Sequence, residues 1–292
     1  MARTFSIITA SKGRLGHLKE SLPRMASQPF AELIVVDFSC PDATGDYVRN
    51  AYPEARVICL NNEDYFSNWK ARNAGAAAAT SDLLLFCDAD TVLAENATRM
   101  IEKSMPEGTF GHFMRASTAH MATSPGLSRN QLKGFHVVPA EAFRKIGGYD
   151  ELLSGYGAGG DTDLELRLAL AGIEAFELDP ALIERVFEHS DEERFKYHEQ
   201  DIASSYCTGL LYRAAKSALL RLTKQLELPA EMRAGLYETA FGVASKLDGP
   251  RSKVAMNVKL DATPVGMPRQ LGYAKASQSM TLKIEIEAEQ KL

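Results

Sequence analysis

Short apolar runs alternate with longer amphipathic stretches over the first 90 residues. The runs are continuous rather than alternating, which is typical of strands buried on both faces of a parallel sheet. The predicted strands are 5–8, 33–38, 57–60 and 83–87, and the helical stretches between them are 15–25, 45–51 and 67–79. This order predicts an α/β fold with a parallel sheet that is covered by helices on both faces.

Polar residues follow each of the four predicted strands. These polar segments are 9–14, 37–42, 61–64 and 88–91. Because the carboxyl ends of parallel strands meet at one edge of a sheet, the segments should lie close together. The sequence therefore predicts a ligand crevice at that edge.

The middle of the chain mixes helical and strand patterns. A long polar loop is predicted over 117–130, which is a candidate lid over the crevice. The other predicted elements are a helix over 94–105, a strand over 109–116, a strand-like segment over 134–139, a helix over 140–146, a glycine-rich turn over 147–160 and a helix over 161–171.

From about residue 191 the pattern is mainly helical. Helices are predicted over 192–227 and 229–247, and two segments of period-two alternation, 253–260 and 281–287, predict a terminal β-hairpin. The amphipathic stretch near 210–226 could cover the core, form a dimer face or contact an anionic membrane surface, and we prefer these roles in that order.

Composition and charge exclude some functions. The chain has 292 residues, 45% of them hydrophobic, and a net charge of −5, which argues against nucleic-acid binding through a broad basic face. No apolar run approaches the roughly 18 residues of a membrane span, and the N-terminus lacks a secretory signal pattern. We therefore expect a cytoplasmic protein, whose four widely spaced cysteines are buried thiols.

Asp88 and Asp90 are the sharpest chemical feature, since they directly follow the predicted strand 83–87. Two carboxylates at the end of a buried strand offer the oxygen ligands that Mg²⁺ and Mn²⁺ prefer. Such a cation could hold a diphosphate. The alternative is an ordinary solvated turn at a strand end.

A glycine-rich turn leads through Gly160 to Asp161 at the predicted start of a helix. Asp161 is either a helix cap or a general base within reach of a hydroxyl. Further along this helix, Glu165 and Arg167 are expected to be surface charges. His189 lies 28 residues after Asp161. A lone histidine near the edge of a domain is usually not a metal ligand.

The order of these features resembles the inverting GT-A glycosyltransferases of family 2, with a galactosyltransferase-like second half of the catalytic domain. The resemblance covers about residues 3–190. It implies a Rossmann-like catalytic domain over 1–190 and leaves 191–292 as a mainly helical extension. It further implies Asp161 as the catalytic base and a Mn²⁺ or Mg²⁺ ion bound by Asp90 and His189.

The same resemblance assigns further residues by position. One group corresponds to segments that contact the nucleotide: Thr9, Arg14, Asp37, Arg72 and Asp88. A second group corresponds to segments that shape the donor-sugar and acceptor pockets: Gly134, Tyr156 and Gly160. Two departures are present, because Phe38 stands where many members have a second Asp and the residue before Asp161 is glycine rather than Glu.

The resemblance implies transfer of a sugar from a UDP-sugar to a carbohydrate or lipid-linked acceptor, with inversion, in glycan or polysaccharide synthesis. A homodimer and a peripheral membrane contact stay open. One rival is a sugar-nucleotide binding module with a decayed site, since the Glu before Asp161 is missing. A phosphohydrolase using Asp88 and Asp90 is a second rival, although its motif normally follows the first strand. A nucleotidyltransferase would need a richer glycine loop after that strand.

Overall fold

The computed structural model describes residues 2–113, 132, 134–155, 157–188, 190–198, 201–247, 253–261 and 279–287. Its strands are β1 (Phe5–Ser11), β2 (Ala31–Phe38), β3 (Arg56–Leu60), β4 (Leu83–Phe86), β5 (Thr91–Leu93), β6 (Thr109–His112), β7 (His136–Pro139), β8 (Glu174–Glu177), β9 (Ile183–Val186), β10 (Lys253–Asp261) and β11 (Ser279–Glu287). Its α-helices are α1 (Leu15–Ala26), α2 (Thr44–Ala51), α3 (Asn68–Ala78), α4 (Ala97–Ser104), α5 (Ala140–Lys145), α6 (Gly160–Leu170), α7 (Asp191–Phe195), α8 (Ile202–Thr223) and α9 (Ala230–Ala244). Within these ranges, no helix combines the length and the apolar character that crossing a membrane requires.

Seven strands form the central sheet, in the order β3-β2-β1-β4-β7-β6-β8. The first four are parallel, as the sequence pattern predicts, and the α/β fold class is confirmed. β7, which is not among the four strands predicted to be parallel, runs antiparallel to both β4 and β6. β6 and β7 follow each other in the order of described strands and lie side by side in the sheet.

The carboxyl ends of β1, β2 and β4 lie at one edge of the sheet. Ser11 of β1 is level with Asp37 of β2, and Ile8 of β1 is level with Phe86 of β4. Because β7 is antiparallel, its first residue, His136, pairs with Phe86 at the same edge. The polar segments therefore meet there, as the sequence predicts.

A small sheet that the pattern did not predict follows the two aspartates of the site. β5 begins directly after Asp90 and pairs antiparallel with β9. The backbone N–H of Phe187, just after β9, donates to the carbonyl oxygen of Asp90 at 2.9 Å. A three-residue strand is too short for its alternation to be recognised. The pairing brings the segment that ends at residue 188 alongside Asp90.

The helix predicted over 192–227 is two helices, α7 and α8. The hydroxyl of Ser190 accepts the N–H of Glu193 at the start of α7, and the carboxylate of Asp201 accepts the N–H of Ser204 at the start of α8. A second N-cap of this kind starts a new helix, so a single amphipathic pattern concealed a break. β10 and β11 form the predicted antiparallel hairpin.

Helix α8 packs against the glycine-rich turn over 155–160. A Cβ added at Gly209 of α8 would lie 2.3 Å from the Cβ of Ala158 in the turn. Leu211 of α8 is fully buried in the same hydrophobic cluster as Leu164 of α6. This helix therefore covers the core, which was the preferred of its three roles, while dimer and membrane contacts stay predictions.

A buried lysine joins α8 to the preceding part of the chain. Lys216 is fully buried, and its Nζ donates to Asp150 at 2.7 Å, to Asp163 at 3.1 Å and to Glu227 at 2.8 Å. Burial opposes the ionisation of Asp150, but the charge and hydrogen bond of Lys216, together with the Tyr212 hydroxyl and Arg233, hold the pKa of Asp150 below its usual value. An ammonium group removed from water needs such partners.

Two arginines complete this network, which therefore contains three cations and three carboxylates. Arg167 pairs with Asp163 at 2.7 Å, and Arg233 pairs with Asp150 at 3.0 Å. The expectation that Arg167 is a surface charge is wrong, because its side chain is fully buried. Arg167 and Asp163 lie four residues apart on α6, and this spacing lets the two charges be buried as a pair.

Candidate active site

The buried side chain of Arg72, on α3, lies at the centre of the candidate site. Its Nη2 donates to Asp88 Oδ1 at 2.7 Å, and its Nη1 donates to the Tyr149 hydroxyl at 3.1 Å. The same Nη1 lies 3.8 Å from Asp161 Oδ1. Arg72 therefore joins two predicted site carboxylates, Asp88 and Asp161, that are far apart in the sequence.

Aromatic rings surround the Arg72 guanidinium. The ring centroids of Trp69, Phe86 and Tyr149 lie 5.4, 5.6 and 5.7 Å from its Cζ. Burial alone would lower the pKa of Arg72, but Tyr149 and the two carboxylates raise it, so the guanidinium stays charged. Stacking on rings fixes the orientation of a planar cation.

Three residues of the segment Ala-Arg-Asn-Ala-Gly at 71–75 have separate roles. Asn73 accepts the backbone N–H of Tyr149 at 2.9 Å and donates to its carbonyl oxygen at 3.0 Å. A Cβ added at Gly75 would lie 2.4 Å from Cγ2 of Ile8 on β1. Arg72 thus supplies charge, Asn73 holds the turn at Tyr149, and Gly75 lets α3 pack closely on the sheet.

Gly134 lies directly against the ion pair of Arg72 and Asp88. A Cβ added there would be 2.7 Å from Asp88 Oδ2 and 2.9 Å from Arg72 Nη2. Any side chain at this position would displace one of the two charged groups. The structure brings Gly134 to the site, and its contact with the donor sugar stays a prediction.

Asp161 is the second residue of α6. The alternative role as N-cap is wrong, because Gly159 occupies the N-cap position. The Asp161 side chain is 21% exposed. Burial raises its pKa to about 6, although His136 and Arg72 oppose this shift. A carboxylate that titrates near neutral pH can accept a proton and release it again, as a general base must.

Gly160, at the start of α6, lies beneath the indole ring of Trp69. A Cβ added at Gly160 would come within 2.4 Å of that ring. The ring cannot move away easily, because Trp69 Nε1 donates to the Leu153 carbonyl oxygen at 2.6 Å and the ring stacks on Tyr149. The contact explains the glycine by packing, and the predicted substrate contact of Gly160 stays a prediction.

Gly160→Ala should lower the free energy of unfolding by about 1–3 kcal/mol, since the ring and the helix start cannot both keep their places. Urea unfolding followed by circular dichroism measures this change. Gly235→Ala is the matched control, because a Cβ added there on α9 meets nothing within 4 Å. Alanine should raise stability at this control position by about 0.5–1 kcal/mol. Similar losses in both variants would contradict the packing explanation.

Asp90 is half-buried and lies two residues after Asp88, whose side chain is also partly exposed. Burial, and then the negative charge of Asp88, raises the pKa of Asp90 to about 7, while Arg14 opposes the shift. Two carboxylates this close repel each other, and a bound cation would relieve the repulsion. The pair is therefore chemically suited to a divalent ion with oxygen ligands.

The residues predicted to contact the nucleotide on β1 and β2 lie along the same edge. Thr9 is buried, and its hydroxyl has no hydrogen-bond partner in the described part of the chain. Arg14 donates to a backbone carbonyl of α7 at 2.9 Å. Asp37 accepts the N–H groups of Cys40 at 2.8 Å and Gly45 at 2.6 Å, so it also fastens the start of α2. Their contacts with a nucleotide stay predictions.

Tyr156 and His189 lie outside the described residues, as does the predicted lid over 117–130. The predicted roles of Tyr156 in the acceptor pocket and of His189 as a metal ligand therefore stay predictions. Two residues before His189, the Phe187 N–H donates to the Asp90 carbonyl oxygen.

Two histidines and a glutamate next to Asp161 were missed from the sequence. Glu165 Oε1 lies 2.9 Å from His112 Nδ1 and 3.1 Å from His136 Nε2. His136 Nδ1 lies 3.7 Å from Asp161 Oδ1. The expectation that Glu165 is a surface charge is wrong, because both imidazoles bind its carboxylate. Its spacing of four from Asp161, on one helix face, was the available signal.

One group of three carboxylates among the described residues could hold a metal ion: Asp150, Asp163 and Glu227. The Lys216 ammonium lies among them and donates to each within 3.1 Å. A cation is therefore already supplied by the chain. We assign this group to the buried charge network.

Residues 6–124 match the family model of glycosyl transferase family 2. The matched segment contains Arg72, Asp88 and Asp90, whereas Asp161 lies beyond it. The match confirms the resemblance to family 2 and the prediction that the chain is a glycosyltransferase. No protein of curated function matches the chain by sequence.

Solved structures share the fold. The mannosyltransferase PcManGT from Pyrobaculum calidifontis, in complex with GDP-Man and Mn²⁺, aligns with a TM-score of 0.54 at 13% identity, over 85% of this chain and 76% of its own. TarS from S. aureus aligns with a TM-score of 0.51 at 11% identity, over 97% of this chain and 72% of its own. At these identities the likeness concerns the fold alone, and the predicted GT-A fold is confirmed.

Proposed function

We propose that this chain, a GT-A glycosyltransferase of the family 2 type, moves a sugar from a nucleotide-diphosphate donor to an acceptor hydroxyl with inversion. The donor is a UDP-sugar and the acceptor is a carbohydrate or a lipid-linked glycan in glycan or polysaccharide synthesis. GDP-sugars are the second donor class to test, because PcManGT was solved with GDP-Man. A cytoplasmic location, with membrane or dimer contact through the extension, belongs to the same proposal.

The observation that carries the proposal is the position of Arg72 between two carboxylates. It donates to Asp88, in the predicted donor half, and lies 3.8 Å from Asp161, the predicted base. Transfer requires the anomeric carbon and the acceptor oxygen to be held close together. A rigid cation between the two motifs supports one shared site for donor and base.

A divalent cation, Mn²⁺ or Mg²⁺, is part of the proposal. Asp90 and His189 would hold it, and Asp88 would face the ion or the ribose. The raised pKa of Asp90, about 7, supports this assignment, since it reflects the burial of Asp90 and then the nearby negative charge of Asp88. When bound, the ion would neutralise the charge that develops on the departing nucleoside diphosphate.

Asp161 is proposed to remove the proton of the acceptor hydroxyl. The acceptor oxygen then attacks the anomeric carbon from the face opposite the nucleotide, and this direction of attack inverts the carbon. Arg72 favours the ionised form of Asp161, whereas burial strengthens its affinity for a proton. These opposed effects suit a base that works near neutral pH.

A panel of UDP- and GDP-sugars tests this function. One donor should raise the melting temperature in the presence of Mn²⁺ and be hydrolysed to its nucleoside diphosphate. Asp90→Asn should raise the Mn²⁺ concentration for half-maximal effect about 10- to 100-fold, since a proposed ligand is lost. Asp46→Asn, an exposed acid on α2, is the control and should leave it unchanged.

Three other outcomes would contradict the proposal. If no sugar nucleotide binds with Mn²⁺, the transferase function fails. If a donor binds but is never turned over, the chain is a binding module with a decayed site. Release of inorganic phosphate from a phosphate ester would favour the phosphohydrolase.

A further inference from the structure

Two buried polar atoms face each other beside the proposed base. His136 Nδ1 and Asp161 Oδ1 are 3.7 Å apart, and neither has a hydrogen-bond partner in the part of the chain that the structure describes. Buried polar atoms are nearly always hydrogen-bonded. Two acceptors cannot bond to each other, whereas one proton between them would satisfy both.

The other nitrogen of His136 fixes its tautomer. Nε2 lies 3.1 Å from Glu165 Oε1. Although burial opposes it, hydrogen bonds from His112 and His136 lower the pKa of Glu165 to about 2, so this carboxylate only accepts. Nε2 of His136 therefore carries the hydrogen. The Nδ1 of a neutral His136 is then a lone pair that faces Asp161.

The support behind His136 is rigid. His112 Nδ1, at the end of β6, lies 2.9 Å from the same Glu165 oxygen. Glu165 and Asp161 lie one helical turn apart on α6, and His136 is fully buried at the start of β7. Regular elements of the core thus hold every member, and rotation of one ring would leave a buried partner unsatisfied.

We propose that His136 shares the proton that Asp161 takes from the acceptor, and that Glu165 positions it for this task. The inference rests on the proposed role of Asp161 as base. As the acceptor oxygen bonds to the anomeric carbon, the acceptor O–H bond and the bond from that carbon to the diphosphate oxygen break, and the nucleoside diphosphate leaves. Because Asp161 Oδ1 is buried, the proton passes to the other carboxylate oxygen. Rotation of the carboxyl group then turns this proton toward His136 Nδ1, which accepts a hydrogen bond from it. After product release the pair returns the proton to water. His136 contacts the base rather than the substrate and is a positioning residue.

Charged groups face this pair from several elements. Arg72 on α3 favours loss of the proton from Asp161, whereas Asp88, after β4, and Glu165 on α6 favour its retention. The Tyr149 hydroxyl also lies near Asp161, and it is uncharged while it is protonated. Asp161 and His136 would hold one proton in common in the field of these groups.

His136→Asn should lower kcat for donor hydrolysis about 10-fold or more, with the KM for the donor unchanged within about 2-fold. The probe is the sugar nucleotide of the UDP and GDP panel that is turned over with Mn²⁺. The amide can donate to Asp161 and so favours its ionised form. In a plot of kcat against pH, we therefore expect the rise on the acidic side, called the acid limb here, to move to lower pH. A purely structural role would not cause this shift.

Glu165→Gln is the second variant, since this side chain is 31% exposed and its loss threatens folding less. It should change kcat and the acid limb in the same directions, because the tautomer of His136 is no longer fixed. Unchanged kcat and unchanged acid limbs in both variants, with Asp161→Asn inactive, would overturn the inference and leave the proposed function intact. Full activity of Asp161→Asn would instead remove the proposed function.

Side-chain ¹⁵N NMR of His136 tests the pair without any donor. In the wild type, the neutral ring should carry its hydrogen on Nε2, and the pH midpoint of its shifts should move in Asp161→Asn. Hydrogen on Nδ1, or an unchanged midpoint, would overturn the inference even if no donor were ever found.

Discussion

Asp161→Asn should lower the rate of donor turnover about 100- to 10,000-fold while donor and Mn²⁺ binding are retained. Asparagine keeps the size of the side chain but cannot accept the proton. Because burial raises the pKa of Asp161 to about 6, its ionised fraction, and with it the wild-type rate, should rise with pH through about 6 and then level. The residual rate of the variant should not show this rise with pH. Release of nucleoside diphosphate, measured across this pH range, gives both results.

Thr162→Ala is the matched control for Asp161→Asn, because Thr162 is the next residue of the same helix and is exposed. It should keep the wild-type rate within about 2-fold and the wild-type pH limb. A rate for Asp161→Asn equal to that of the control would mean that another group, or none, acts as base.

Lys216→Met should lower the free energy of unfolding by about 3–5 kcal/mol, because it leaves buried carboxylates without their cation. Its partners Asp150 and Asp163 are completely buried. The interaction with Lys216 helps to hold the pKa of Asp150 below its usual value, against the effect of burial. The wild type should therefore lose stability as the pH falls through that depressed pKa, and the variant should lose less. Denaturant titrations at neutral and acidic pH measure the difference.

Lys103→Met, at an exposed position of α4, is the control for this charge network. Its effect should stay within about 0.5 kcal/mol at either pH. If Lys216→Met were no more destabilising than this control, the buried network would not be a main support of the fold.

The first half of the fold could be predicted because its signals are local. Each of β1, β2, β3 and β4 is a continuous apolar run, and each is followed by polar residues. The same reasoning places Asp88 at the edge of the sheet, since the carboxyl end of a buried strand in such a sheet faces the crevice. Its role in the site stays a prediction. Gly134 and Arg72 came from the family resemblance, and their reason is spatial, because the glycine leaves room for the ion pair.

The parts that could not be predicted depend on partners that are distant in the sequence. A helical charge such as Arg167 is buried only because Asp163 and the extension surround it. His112 and His136 belong to short strands whose pairing no local pattern reveals, and Glu165 is defined by both. For this reason the missed residues all lie where separate elements meet.

Because α8 packs on the glycine-rich turn, enzymatic activity should appear late in the synthesis of the chain. During synthesis Lys216 follows Asp161 by 55 residues, and Arg233 comes later still. Until α8 has left the ribosome and docked, the carboxylates of Asp150 and Asp163 lack the Lys216 ammonium. The glycine-rich turn before Asp161 also lacks the helix that packs against it. A nascent chain that contains the whole family 2 segment would thus still be inactive. Enzymatic activity would appear only after the helical extension has folded.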